Sequence, residues 1–164
     1  MSQKPVLYLT RAAAIAALYV VLTMVFAPIS FGTSGIDIRI AEALTVLPAF
    51  LGEAVPGLFV GCLIANILGG GVIWDIIFGS LATLIGAVVA RKLRRNRWLV
   101  PIPAVVANTI IIPFVLRYGY GVNIPLPLLF LSIAGGEFLS AYVLGQILYT
   151  VLDKFGKGIF EVKG

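Results

Sequence analysis

Long apolar runs separated by short polar or glycine-rich segments make up most of the chain. About 20 helical residues cross the ~30 Å hydrocarbon core of a bilayer, so the runs are typical of membrane helices. Six helices are predicted. They cover residues 6–27, 38–49 with an end near Gly52 and Glu53, 54–68, 72–90, about 101 or 104 to 116, and about 127–152.

Composition places the chain among integral membrane proteins. It is 60% hydrophobic and 12% charged, with a mean hydropathy of +1.08, whereas soluble domains are about 45–50% apolar and about 25% charged. Six helices leave no length for a second, soluble domain in 164 residues. We therefore expect an all-α bundle of six transmembrane helices that forms a single domain over residues 1–164.

Several kinds of chemistry are excluded by the residues that the chain lacks. Cys62 is the single cysteine and there is no histidine, which removes an internal disulfide, histidine-based catalysis and the commonest zinc and haem ligands. The chain has no Walker motif, so we do not expect it to hydrolyse ATP itself. We expect neither a cofactor nor an enzymatic activity.

Positive charges indicate the topology. Ten of the 12 lysines and arginines fall on the side shared by the N-terminus, the connection between helices four and five, and the C-terminus. This positive-inside pattern predicts that both termini are cytoplasmic. The net charge of +5 thus suits anionic lipid headgroups, and no nucleic acid partner is expected. The ten are Lys4, Arg11, Arg91, Lys92, Arg94, Arg95, Arg97, Lys154, Lys157 and Lys163.

Three ionisable residues interrupt the apolar pattern between residues 35 and 48: Asp37, Arg39 and Glu42. In a helix, Arg39, Glu42 and Thr45 recur at a spacing of three and form a polar stripe. Each charge at membrane depth costs roughly 2.5–3.5 kcal/mol even on the mildest insertion scale, so such residues usually face a cavity within the protein. The alternative is that Arg39 and Glu42 neutralise each other as an i, i+3 pair.

Further polar residues are predicted in the outer half of the same bundle. Asn66, Trp74 and Asp75 lie near helix ends, with Asn108 and Glu137 somewhat deeper. Polar groups on one side of a bundle indicate a cup open to the outside rather than a continuous pore. Carboxylates, amides and an indole ring suit a flat, donor-rich small molecule. The alternative interpretation is that these groups only tie helices together.

The first helix carries small residues at a regular spacing. Ala12 and Ala16, and likewise Ala13 and Ala17, are four residues apart, which lets another helix approach the backbone closely in lipid. The alanines themselves do not say whether this partner is internal or another subunit.

Six motifs follow one another along the chain: A-A-L-Y-V-V-L-T, F-A-P-I-S-F-G, I-R-I-A-E-A-L-T-V-L-P, V-P-G-L-F-V-G-C-L-I-A-N, W-D-I-I-F-G-S-L-A-T-L-I-G and the later G-G-E. As an ordered set they resemble the QueT family, the substrate-binding S components of energy-coupling factor (ECF) transporters for queuosine precursors. The resemblance covers the first four helices closely and is weak in the last two connections.

The resemblance implies a subunit of the bacterial cell membrane that captures its substrate outside. It implies two kinds of partner, a transmembrane scaffold subunit and two ABC-type ATPases that hydrolyse the ATP. The docking motif would be Ala12, Ala13, Ala16 and Ala17. The implied ligands are 7-deazaguanines, such as 7-aminomethyl-7-deazaguanine, queuine or queuosine. We extend the substrate site, as our own inference, to Arg39, Glu42, Asn66, Trp74, Asp75, Asn108 and Glu137.

Three alternative functions remain at the sequence level. An S component for a different vitamin would share the fold and the alanine motif but not the pocket. A self-sufficient facilitator or channel would need no coupling subunits. A membrane enzyme acting on lipids is the least favoured, because the chain offers no histidine and no paired Asp-x-x-Asp.

Overall fold

A computed structural model describes residues 3–27 and 38–156, and over these residues the chain is helical without strands. The predicted all-α class is thus confirmed for this part of the chain. Asp37, Lys157 and Lys163 lie outside the described residues. The six helices in chain order are α1 Gln3–Val25, α2 Ile40–Ala49, α3 Ala54–Leu68, α4 Ile73–Lys92, α5 Ile102–Gly119 and α6 Leu126–Phe155.

Four of the six helices are long and apolar enough to cross a membrane: α1, α4, α5 and α6. The prediction of membrane-spanning helices is therefore confirmed, by length and composition, for these four helices. Helices α2 and α3 are shorter, with 10 and 15 residues. Helix α2 nevertheless extends from one end of the bundle towards the other. Arg39, before α2, is paired with Asp75 at one end, whereas the ring of Phe50, after α2, lies 4.7 Å from that of Tyr149 near the other.

Helix α2 is a 3₁₀ helix, an unusual form for ten residues. Its three residues per turn place Glu42 directly below Thr45, so the polar spacing of three found in the sequence becomes a straight stripe. Residues 41–48 are all buried, because α2 packs against α1, α3, α4 and α6. The polar stripe and the apolar residues of α2 therefore both lie within the bundle.

Helix α1 packs against α3 through backbone contacts at two glycines. A Cβ atom on Gly57 would lie 2.7 Å from the carbonyl oxygen of Ala12, and one on Gly61 would lie 2.9 Å from that of Ala16. Only glycine on α3 and a small residue on α1 allow this approach. The close contact orients α1 so that Tyr19 points into the bundle, where it is 1% exposed.

Helices α5 and α6 both change to π-helical hydrogen bonding. The change in α5 covers Val115–Gly119, shortly after Pro113, which lacks the N–H of a regular helix. The change in α6 covers Phe138–Leu144 and begins directly after Glu137. Such segments are frequent at functional sites.

Polar contacts distinguish the two ends of the bundle. At the end we call the basic end, Arg11 Nη1 lies 3.1 Å from Glu53 Oε1 and Arg91 Nη1 donates to the Pro48 carbonyl oxygen at 2.9 Å. The basic connection between α4 and α5 is at the same end. The opposite end, which we call the Asp75 end, holds the turn between α3 and α4 and the connection between α5 and α6. The cytoplasmic location of the basic end stays a prediction.

Candidate functional site

Four charged side chains are buried among the described residues: Arg39, Glu42, Asp75 and Glu137. All four are among the substrate-binding residues predicted from the sequence. Burying a charge in an apolar bundle is costly unless it is paired or hydrogen-bonded. The contacts of these groups therefore define the candidate site.

Asp75 is the centre of the contacts at the Asp75 end. Its Oδ2 lies 3.6 Å from Arg39 Nη2, and the two side chains are 3% and 10% exposed. The hydroxyl of Tyr120 donates to the same Oδ2 at 2.9 Å and accepts from the backbone N–H of Val72 at 3.3 Å. Asp75 in the first turn of α4 is thus joined to α2 and to the α5–α6 connection.

Asn66, in the last turn of α3, holds the start of α4 in place. Its Nδ2 donates to the backbone oxygen of Asp75 at 3.2 Å and lies 3.7 Å from Cys62 Sγ. Thr83 Oγ1 donates to the same sulfur at 3.3 Å. Cys62 is therefore a buried acceptor between α3 and α4.

Glu42 is held by a different helix. The Tyr19 hydroxyl donates to Glu42 Oε1 at 2.5 Å, and both residues are 1% exposed. The Thr45 hydroxyl donates to the Glu42 carbonyl oxygen at 2.6 Å, and the Glu42 N–H donates to the Arg39 carbonyl oxygen at 2.9 Å. These contacts join all of the residues into what we call the ionic cluster: Tyr19, Arg39, Glu42, Asn66, Asp75 and Tyr120.

Two glycines allow the groups of the ionic cluster to approach each other. A Cβ on Gly79 would lie 2.8 Å from Asp75 Oδ1 and 3.1 Å from Asn66 Nδ2. A Cβ on Gly71 would lie 2.9 Å from the carbonyl oxygen of Asn66 and 3.3 Å from the Tyr120 hydroxyl. Gly71 and Gly79 therefore leave room for the side chains of the ionic cluster.

Trp74 lies apart from the ionic cluster although it precedes Asp75. Its side chain is 53% exposed and stacks on Phe78 with ring centroids 6.0 Å apart. With Phe114 and Tyr118 of α5, these two rings line an apolar groove of about 500 Å³ at the surface of the bundle. Neighbouring positions on a helix are about 100° apart. Trp74 therefore faces the groove, whereas Asp75 faces the interior of the bundle.

The two remaining predicted residues, Asn108 and Glu137, are both buried, at 4% and 5% exposure. Asn108 is in the middle of α5. Glu137 ends the α-helical part of α6, and the π segment that follows packs against α2, the helix that carries Glu42. Glu137 thus lies close in the chain to the contact between α6 and α2.

The four alanines predicted for docking face two directions. Ala12 and Ala16 are buried against α3, at 8% and 7% exposure, whereas Ala13 and Ala17 are exposed. Only the second pair is therefore accessible to a partner subunit. Ala12 and Ala16 thus serve internal packing. Ala13 and Ala17 lie on a separate, exposed face of α1 and place only methyl groups there.

Tyr19 and Tyr120 belong to the ionic cluster but are not among the residues predicted from the sequence. Tyr19 could have been found, because it continues the stripe of Ala12, Ile15 and Ala16 at helical spacing. Tyr120 stands between two glycines in a connection and carries no such signal. Burial, followed by the negative charge of Asp75, raises the pKa of Tyr120 to about 12.

Comparison with known families identifies the chain. Residues 9–154 match the QueT transporter family, which is most of the chain. The chain belongs to the QueT family. No curated protein and no solved structure matches significantly. Membership makes this QueT protein a component for the uptake of a small solute. The matched region contains every predicted docking and substrate-binding residue.

Proposed function

We propose that this QueT protein is the S component of an ECF transporter and binds a queuosine precursor of the 7-deazaguanine type. It takes the substrate from outside a bacterial cell and delivers it inward after docking on a coupling module. The observation that supports this proposal is the ionic cluster, which gathers buried carboxylates, a guanidinium and an amide at the end opposite the basic residues.

The chemistry of a 7-deazaguanine suits such a set of groups. Its ring N–H and exocyclic amine can donate two parallel hydrogen bonds to one carboxylate, a strong and directional arrangement. Glu42 and Glu137 are the candidates for this carboxylate, with Asn66 and Asn108 as amides that both donate and accept. Trp74 would stack on the part of a ligand that extends into the apolar groove.

The energy for transport comes from other subunits in this proposal. The chain has no Walker motif, so ATP is hydrolysed by two ABC-type ATPases that act through a transmembrane scaffold subunit. The scaffold docks on the exposed side of α1, at Ala13 and Ala17. Ala12 and Ala16 support this surface from within by holding α1 on α3.

Two experiments test this function. Mass spectrometry of small molecules that co-purify with the detergent-extracted protein should detect a 7-deazaguanine. Calorimetric titration with 7-aminomethyl-7-deazaguanine, queuine, queuosine and a panel of vitamins should then show binding of the first group alone. Binding of a vitamin instead would indicate a different S component.

Reconstitution separates the S component from a facilitator. Liposomes that contain this chain alone should bind but not accumulate the substrate, and addition of the coupling subunits with ATP should start uptake. Uptake by the chain alone would contradict the proposed mechanism.

A further inference from the structure

The carboxylate of Asp75 uses little of its capacity to accept hydrogen bonds. Asp75 is 2% exposed, and its Oδ1 is a buried oxygen without a hydrogen-bond partner among the described residues. Its Oδ2 accepts from Tyr120 at 2.9 Å, but the 3.6 Å to Arg39 Nη2 exceeds ordinary hydrogen-bond length. An ionised carboxylate has about four acceptor positions, so Asp75 can accept hydrogen bonds from a further donor.

The balance of buried charge is also negative. Arg39 is the buried cation among the described residues, against the three buried carboxylates Glu42, Asp75 and Glu137. An excess of negative charge at low dielectric is unfavourable, and a cation that enters the site relieves it. The unpartnered oxygen of Asp75 and the three buried carboxyl groups beside one buried guanidinium both favour a cationic donor at this site.

The geometry points to Asp75 as the residue that makes this site select a cationic substrate, by binding an ammonium group. An ammonium has three N–H donors on one charged centre, which suits Asp75 better than the neutral hydroxyl of Tyr120. This inference rests on the proposed function and deepens it. Among 7-deazaguanines, those with an aminomethyl-type substituent bind, and neutral ones with the same ring bind weakly.

Two ligands with the same ring test the inference. The affinities of the full-length protein in detergent for 7-aminomethyl-7-deazaguanine and for the neutral 7-cyano-7-deazaguanine are measured by calorimetry at neutral pH. We expect the amine to bind at least about tenfold more tightly, the effect of one charge-assisted hydrogen bond. Asp75→Asn should bring the two affinities to within about twofold, mainly by weakening the amine.

Matched variants provide controls. Asp153→Asn changes an exposed carboxylate near the basic end and should keep the preference for the amine. If Asp75→Asn does not fold, Gly79→Ala replaces it, because the added methyl would lie 2.8 Å from Asp75 Oδ1 and displace the carboxylate. Gly135→Ala, whose added methyl meets no atom within 4 Å, is its control.

The results separate this inference from the proposed function. Equal affinities of the wild-type protein for both ligands overturn the inference alone. So does a preference that persists in folded Asp75→Asn or, where that variant does not fold, in Gly79→Ala. Binding of neither ligand by the wild-type protein overturns the proposed function and the inference together.

Discussion

The Tyr19 hydroxyl lies 2.5 Å from Glu42 Oε1, and this contact joins α1 directly to the ionic cluster. The same helix presents Ala13 and Ala17 on its exposed side. A movement of α1 would therefore change the surroundings of Glu42. The position of Tyr19 in turn depends on the close packing of α1 on Gly57 and Gly61 of α3.

Tyr19→Phe should destabilise the protein and weaken substrate binding. The variant removes the hydroxyl that donates to a buried carboxylate, and loss of one such partner costs about 1–3 kcal/mol. Thermal unfolding in detergent and calorimetric titration measure the two effects. Tyr8→Phe is the control, because Tyr8 is on the same helix but is 48% exposed. Equal behaviour of the two variants would show that the contact has no energetic role.

Gly61→Ala should loosen the packing of α1 on α3. The added methyl would lie 2.9 Å from both the Ala16 carbonyl oxygen and Tyr19 Cβ, and overpacking of this kind typically costs about 1–3 kcal/mol. We expect a lower unfolding temperature than for Gly135→Ala, where the methyl enters open space. An unfolding temperature equal to that of the wild-type protein would mean that α1 shifts without cost.

Ala17→Trp should abolish transport while substrate binding is retained. Ala17 is exposed on α1, so a bulky ring there would block a docking helix without disturbing the bundle. Uptake by the reconstituted complex and binding by the isolated subunit are the two measurements. Leu131→Trp on α6 is the control, since Leu131 is 70% exposed. Ala16→Trp is less informative, because Ala16 already contacts Gly61. Normal uptake by Ala17→Trp would remove the docking assignment.

Glu137→Gln should abolish or strongly weaken substrate binding and leave the fold intact. The amide of glutamine has nearly the size of the carboxylate but no charge. A hydrogen bond to a charged group contributes about 1.5–3 kcal/mol, so its loss should lower the affinity roughly 10- to 100-fold. Calorimetry measures the affinity and circular dichroism the helix content. Asp153→Asn again provides an exposed control. A variant that binds normally would exclude Glu137 from the site.

Ionisation of Tyr120 should destabilise the protein at high pH. The folded pKa of Tyr120, about 12, is above the ordinary value of 10.0, so the neutral phenol is favoured in the folded state. Its stabilising contribution is complete below pH 10.0 and is lost as the pH rises towards about 12. Unfolding temperatures across this interval should fall less steeply for Tyr120→Phe than for the wild-type protein. Parallel curves would contradict the raised pKa.

The positions of the buried charges could be predicted, but their partners could not. Charge is so unfavourable at membrane depth that Arg39, Glu42, Asp75 and Glu137 stand out against an apolar sequence, and burial of all four agrees with this. The simplest pairing by spacing is Arg39 with Glu42. The bundle also brings Arg39 beside Asp75, 36 positions away in the chain, and Glu42 beside Tyr19, 23 positions away. Local spacing gives no signal for either contact.

The sequence by itself determined the membrane class, the number of helices and the residues whose burial needs a reason, because these follow from local hydropathy. Only the tertiary structure decided which face each side chain occupies. It buried Ala12 and Ala16 and exposed Ala13 and Ala17, and it turned Trp74 away from Asp75. The physical reason is that these outcomes depend on how closely two backbones approach at glycines such as Gly61 and Gly79, and such distances are set by the whole bundle.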